Sequence, residues 1–317
     1  MGQRNQTTVT EFILIGFSNF SDLQILLFVI FSMSYMATLA GNIIIMTIIR
    51  VNQNLHIPMY FFLSFLSFSE TCYTFVVIPN MLVNLLREIK TISFTGCATQ
   101  MFLFLGFGIT NCMILTAMGY DRYLAICKPL NYHALMSQRV CTQLVAFSVV
   151  TGFVLSLVET FFIFKLLFCG MNKINHFFCD MAPVIKMACT ENSRIEIVIF
   201  ILCVLVVFGS FLLILLSYIL FFNTILKIPS AKGKHKAFST CASRLIVLVV
   251  HFGCASITYL RPKSTYSLDE DTLISVSYTV VTPLLNPMVY SLRNKDVQMA
   301  IRKVLGKTLY PLNTESS

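Results

Sequence analysis

Charged side chains are scarce in this sequence. Asp, Glu, Lys and Arg supply 12% of its 317 residues, where an ordinary soluble domain carries about 25%. Hydrophobic residues make up 56%, and the mean hydropathy is +0.79. So few charges cannot cover a water-facing surface, which excludes a soluble globular fold. Residues 1–22 lack a basic start followed by a long apolar core, so no cleavable signal peptide is expected and the first span serves as its own insertion signal. Internal hydropathy repeats and helices broken near the midplane are missing, which argues against a transporter. Paired acids and a His–acid set are missing from the apolar runs, with Glu70 the only acid placed deep, so an enzyme is not expected. A polytopic membrane protein remains, read as a single domain over residues 1–317.

The long apolar runs that are present number seven. Ionisable groups are costly inside a bilayer, and about 20 apolar residues cross its hydrocarbon core. Stretches free of acids and bases, or holding one only, run over 23–49, 57–86, 91–120, 140–158, 197–226, 237–260 and 272–292, and place spans near 23–49, 57–86, 91–127, 138–164, 195–227, 236–261 and 270–292. The runs are long and continuous rather than short and alternating, so helices are expected and a β-barrel is not. Residues 1–22 form an outer N-terminus. Residues 294–309 carry Val297, Ile301, Val304 and Leu305 at helical spacing, interleaved with Arg302, Lys303 and Lys307, which reads as an amphipathic helix on the inner face. Residues 310–317 are a tail. No cysteine follows the amphipathic segment, so no palmitoyl anchor is expected there.

Orientation follows from the bases. With the N-terminus outside, the inner loops and edges hold 14 of the 23 Lys and Arg residues, opposed there by Asp121, Asp296 and Glu315 alone. That is the positive-inside pattern. It accounts for the net charge of +9 without a nucleic-acid partner and gives a multi-pass membrane protein with its N-terminus outside. Asn5-Gln6-Thr7 and Asn19-Phe20-Ser21 are glycosylation sequons on the outer side. Asn5 is better placed, because Asn19 lies close to the membrane.

Four of the 11 cysteines fall outside: Cys97, Cys169, Cys179 and Cys189. An even number in an oxidising compartment implies two disulfides, with three pairings open. The other seven read as small buried hydrophobes. The loop near 165–196 is long and holds three of the outer cysteines, the mark of a lid over a binding site. His176, Cys179 and Asp180 could be read as metal ligands, but a cysteine in a disulfide is no thiolate. No metal site is expected here, and no cofactor.

Two motifs carry chemistry. Met118-Gly119-Tyr120-Asp121-Arg122-Tyr123 ends the third span. Its arginine is always charged and can exchange a carboxylate partner for the backbone carbonyls of a docking helix. Pro283-Leu284-Leu285-Asn286-Pro287-Met288-Val289-Tyr290 lies in the seventh. Pro287 permits a kink, Asn286 can join a buried polar network, and Tyr290 can swing with the kink. Together these resemble the rhodopsin-like G-protein-coupled receptors. Further motifs narrow the resemblance. They are Leu55-His56-Ile57-Pro58-Met59-Tyr60-Phe61-Phe62-Leu63-Ser64, Lys236-Ala237-Phe238-Ser239-Thr240-Cys241-Ala242-Ser243, Tyr290-Ser291-Leu292-Arg293-Asn294, Gly41-Asn42 and Ser217-Tyr218. Over nearly its whole length the chain resembles tetrapod-type (class II) olfactory receptors, near family ten.

The resemblance implies an all-α membrane fold of seven helices with a short cytoplasmic amphipathic helix. It implies an odorant receptor that activates a stimulatory, olfactory-type heterotrimeric G protein and raises cAMP. Asp121, Arg122, Tyr123, Tyr218, Lys236, Asn286, Pro287 and Tyr290 are the coupling and switch positions it implies. Cys97 pairs with Cys179, and Cys169 with Cys189, in the family. Asn80, Gly119 and Arg244 depart from its usual residues. Asn111 stands where many members carry a second acid facing Glu70, so a sodium ion held by Glu70 and Asn111 is expected to bind weakly. The alternative is a non-olfactory rhodopsin-like chemosensory receptor for another small hydrophobic ligand.

Counting outward from Arg122, the inward stripe of the third helix is Cys112, Ile109, Gly108, Leu105 and Phe104. Facing stripes are Leu202, Cys203, Val206 and Val207 in the fifth helix, Phe252, Ala255, Ser256 and Tyr259 in the sixth, and Val276 and Thr279 in the seventh. Gly108 and Ala255 leave room, and Tyr259 offers a hydroxyl. A protonated amine finds no counter-ion at Phe104. The expected ligand is a small, neutral, mostly apolar volatile with an acceptor oxygen. Membrane lipids complete the expected partners.

Overall fold

The computed structural model describes residues 9–17, 22–168, 172–189, 193–226, 245, 248–249, 252–257, 268–289 and 297–301. Asn5, Asn19, Cys169, Lys236, Tyr259 and Tyr290 lie outside the described residues, as do the ends of the sixth span.

Among the described residues, five helices are long and apolar enough to cross a membrane. The first is Gln24–Val51, the second Pro58–Leu85, the third Phe94–Cys127 and the fourth Gln138–Phe164. The fifth combines Ser193–Cys203, a π-type turn at Val204–Phe208, and Gly209–Leu226. Of the sixth, residues 252–257 are helical. The seventh runs through Leu268–Val276, a second π-type turn at Ser277–Val281, and Thr282–Pro287.

Local chemistry fixes the helix starts. Pro58 occupies the first turn of the second helix, where a missing N–H costs nothing. Ser93 Oγ accepts from Gly96 N at 3.0 Å at the start of the third helix. Ser137 Oγ accepts from Val140 N at 3.5 Å at the start of the fourth. These caps satisfy donors that the helix itself leaves open.

The third helix is the axis of the bundle. Of its most apolar stretch 67% is buried, against 22% for the first helix. It packs on the second, fourth and fifth helices. In lipid, helices gain nothing from hiding apolar surface from one another, so close approach depends on small residues and hydrogen bonds. Gly152 supplies the small residue here. A Cβ on it would stand 2.4 Å from Thr110 Oγ1 and 2.8 Å from Gly106 O. One turn on, Ser156 Oγ donates to Phe102 O at 2.5 Å. Large apolar side chains such as Ile25, Met33 and Leu205 remain exposed around the rim, facing lipid.

A small sheet caps the outer end. Strands β1 (Glu11–Leu14), β2 (Thr91–Ser93) and β3 (Lys173–Ile174) lie in the order β2-β1-β3. β1 pairs antiparallel with β2 through Phe12↔Ile92, and parallel with β3 through Leu14↔Ile174. Phe12 and Leu14 are buried beneath it. Gly16 follows, and a Cβ there would stand 2.4 Å from Phe177 N, so only glycine lets the N-terminal segment lie on the lid.

Two apolar clusters fill the interior. The outer one contains the cap, the lid and Phe104; the inner one contains Leu115, Leu124, Tyr218 and Phe252. Val297 and Ala300, in the helical residues 297–301, are buried in the inner cluster.

Candidate functional site

Three layers stack along the third helix, and the outermost holds the lid. A disulfide joins Cys97 to Cys179. Gln100 reinforces it, accepting from Cys179 N at 3.0 Å and donating to Val76 O at 3.0 Å. Cys189 is disulfide-bonded as well. The staple brings lid residues down onto the bundle. Phe104 packs against Tyr73 with ring centroids 4.7 Å apart and against Phe178 at 4.8 Å.

The lid is also tied to the seventh helix. The Tyr278 hydroxyl donates to Asp180 Oδ2 at 2.8 Å, and Asp180 Oδ1 accepts from Met181 N at 2.7 Å. His176 Nε2 and Ser275 Oγ form a hydrogen bond of 2.8 Å. Burial pushes the His176 imidazole down to about 3, because desolvation disfavours the charged ring. His176 is therefore neutral at physiological pH.

The residues expected to meet a ligand fall around the boundary of the two apolar clusters. Phe104, Leu105, Cys203 and Val276 belong to the outer one; Cys112, Val207, Phe252 and Ala255 belong to the inner one. Ile109 and Thr279 are buried, and Gly108, Leu202, Val206 and Ser256 are partly so. A Cβ on Gly108 would meet only Tyr73 Cε2, at 3.7 Å. Val206 and Val207 lie in one π-type turn and Thr279 in the other. Such turns re-aim side chains and recur at functional sites.

Two acids besides Glu70 are buried in the protein. Glu159, in the fourth helix, is 2% exposed and Asp180, in the lid, is 1% exposed, beside Glu70 at 3%. Glu159 lies on the Ser156–Glu159–Ile163 face, which is buried throughout, and is turned inward.

Glu70 centres the middle layer. Asn286 Nδ2 donates to Glu70 Oε1, linking the second helix to the seventh. Ser69 Oγ, Asn111 Oδ1, Asn286 Oδ1 and both polar atoms of Asn42, on the second, third, seventh and first helices, are buried without hydrogen-bond partners. Pro287 packs close to Gly41 of the first helix, where a Cβ would stand 2.8 Å from its ring.

The inner layer is the Asp121–Arg122 edge. The Tyr132 hydroxyl donates to Asp121 Oδ1 at 2.8 Å. Burial, and then this bond, push the Tyr132 hydroxyl pKa up. Arg122 Nη2 points at the Met59 sulfur of the second helix. Tyr123 packs against the inner cluster, and Tyr218 is buried within it beside Phe221 and Phe222. Cys127 Sγ lies 3.1 Å from Thr224 Oγ1, joining the inner ends of the third and fifth helices.

Sequence reasoning missed the lid–helix pairs His176–Ser275 and Asp180–Tyr278. The signal available was the polar spacing Ser275–Tyr278, one turn apart in an apolar run.

Comparison with known proteins gives this layered arrangement its family. The olfactory receptor family profile matches residues 31–308. The chain is 58% identical to human olfactory receptor 10T2 over 96% of its own length and 97% of that protein's. It is 58% identical to human olfactory receptor 10R2 over 96% and 90% of the two chains. Human olfactory receptor 10K1 is 54% identical over 99% and 100%. With a lid stapled to the third helix, an Asp–Arg edge at its inner end and these relatives along nearly its full length, the chain belongs to the olfactory receptor family of G-protein-coupled receptors, seven-helix proteins that cross the plasma membrane repeatedly.

Proposed function

We propose that this receptor binds a small, neutral, mostly apolar volatile beneath its lid and activates a stimulatory, olfactory-type heterotrimeric G protein, raising cAMP. The observation that carries the reading is Phe104, held between Tyr73 and Phe178 directly below the Cys97–Cys179 staple. An aromatic floor suits an apolar ligand and gives an ammonium no counter-ion. The ligand contacts are Phe104, Leu105, Gly108, Ile109, Cys112, Leu202, Cys203, Val206, Val207, Phe252, Ala255, Ser256, Tyr259, Val276 and Thr279. At the inner end, Asp121, Arg122, Tyr123, Tyr218, Lys236, Asn286, Pro287 and Tyr290 carry the switch.

Three finer readings accompany it. Cys169 is the partner of Cys189. A sodium ion binds weakly near Glu70 and Asn111, where orphaned oxygens on Ser69, Asn111 and Asn286 suit a hard cation. Membrane lipid occupies a groove of about 550 Å3 whose lining includes Arg50, His56, Phe61, Phe65, Phe68 and Gln138.

The test is cAMP in transfected cells co-expressing the stimulatory G protein and exposed to a panel of neutral volatiles. A saturable, receptor-dependent rise for at least one of them is expected. Silence at normal surface levels overturns the reading.

A further inference from the structure

We propose that Glu159 is the polar anchor of the odorant site and selects ligands that carry a hydroxyl group. The proposal rests on the reading above and narrows its ligand class.

Glu159 lies on the buried face of the fourth helix. The serines on that face have partners: Ser148 Oγ donates to Leu144 O at 2.7 Å and Ser156 Oγ to Phe102 O at 2.5 Å. Glu159 differs. It is 2% exposed, yet among the described residues it makes no hydrogen bond or ion pair. Thr160 follows it, and its buried Oγ1 also has no hydrogen-bond partner. Buried polar groups left unpaired are costly, so a protein that keeps two side by side calls for a partner to arrive.

The neighbourhood is that of the ligand site. The fourth helix meets both the lid helix Met181–Ile185 and the outer half of the fifth helix. Cys203, on the fifth helix, lies within electrostatic reach of both Glu159 and Asp180. Asp180 is engaged by Tyr278 and by Met181 N, which leaves Glu159 as the acid with an open acceptor.

The two open groups have complementary needs. A carboxyl oxygen of Glu159 requires a donor, and the Thr160 hydroxyl requires an acceptor. An alcohol oxygen supplies both. A ketone or an ether accepts from Thr160 and leaves Glu159 unanswered. An ammonium donates to Glu159, leaves Thr160 unanswered, and carries a desolvation penalty of several kcal/mol into an apolar site.

The experiment uses four ligands on one carbon skeleton, the alcohol, its methyl ether, the ketone and the amine, with the parent hydrocarbon as the reference. Each is tested by cAMP in cells expressing the full-length receptor, with surface levels measured. On the unmodified receptor the alcohol is expected to be at least about tenfold more potent than ether or ketone. Glu159→Leu should bring the alcohol to the ether's level and leave the ether's response in place. Glu159→Gln keeps a carbonyl acceptor and should hold the alcohol's advantage within about threefold. Thr160→Val, an independent and milder change, should halve or better the advantage of both alcohol and ketone over the parent hydrocarbon. An alcohol-to-ether ratio unchanged in Glu159→Leu overturns the proposal. If that variant does not reach the surface, an unchanged advantage of alcohol and ketone over the parent hydrocarbon in Thr160→Val overturns it. An amine more potent than the alcohol overturns it in favour of a counter-ion role. A receptor that answers apolar ligands but ignores all four of these also overturns it while the odorant reading stands. Silence towards every volatile removes both.

Discussion

Tyr278 and Asp180 stand 98 residues apart in sequence and meet in a 2.8 Å hydrogen bond that ties the lid to the seventh helix. The carboxylate is 1% exposed, so this bond works in a dry setting where an unmet acceptor is costly.

Tyr278→Phe should therefore destabilise the receptor although the ring remains. Hydrogen bonds to charged groups contribute about 1.5–3 kcal/mol, and Asp180 retains only part of its set through Met181 N. The thermal midpoint of purified receptor should fall by several degrees. An unchanged midpoint would show that the lid is held by its other ties, the Cys97–Cys179 disulfide and the His176–Ser275 bond among them.

His176 predicts a pH dependence. Its pKa is held down to about 3 in the fold, while an unfolded histidine titrates near 6.5. Below pH 6.5 the unfolded chain takes up a proton that the folded chain refuses. Stability from this residue is thus fully present above pH 6.5 and is lost as the pH falls towards 3. At pH 5 the loss is about 2 kcal/mol. Unfolding midpoints measured between pH 7.5 and 5 should fall for the parent and fall less for His176→Gln. Parallel slopes would place the sensitivity elsewhere.

Gly152 predicts a steric failure. Any Cβ there meets Thr110 Oγ1 and the Gly106 carbonyl below 3 Å. Gly152→Ala should cost about 1–3 kcal/mol through forced separation of the helices, and Gly152→Val more. Adding Thr110→Ala should recover part of the alanine variant's loss but not all, because the carbonyl stays. Surface expression and thermal midpoints report it; full stability in Gly152→Ala would mean that the third and fourth helices are not locked at this point.

Arg122 predicts a separation of binding from signalling. Activation should move the inner end of the sixth helix away from the Asp121–Arg122 edge and open a cleft for a G-protein helix. Arg122→Ala should lose cAMP production while odorant binding persists. Normal signalling by this variant at parental surface levels would remove Arg122 from the switch.

The spans were legible because the bilayer punishes charge, so gaps between ionisable residues mark helices wherever they run. Asn286 could be read as a network residue because an amide beside a helix-breaking proline has little other reason to sit in an apolar run; its partner, Glu70, could not be read. Strand β1 was illegible. It is four residues long, and its partners lie near residues 92 and 174, beyond any local pattern. The burial of Glu159 was illegible, because a charge tally records residue type and ignores helix face. The π-type turn at Val204–Phe208 has no sequence mark, since Val-Leu-Val-Val-Phe holds neither glycine nor proline.

The position of β1 in the middle of its sheet sets a schedule for biogenesis. Phe12 and Leu14 reach the lumen early, but the strand that completes their pairing, Lys173–Ile174, follows some 160 residues later. At roughly 5–20 residues per second, synthesis of that stretch takes about ten to thirty seconds. Through that interval an apolar strand with at least one open edge is available for wrong pairing. The amount of receptor that leaves the endoplasmic reticulum is then governed by how quickly the cap closes, and a stabilising change in the inner bundle need not raise it.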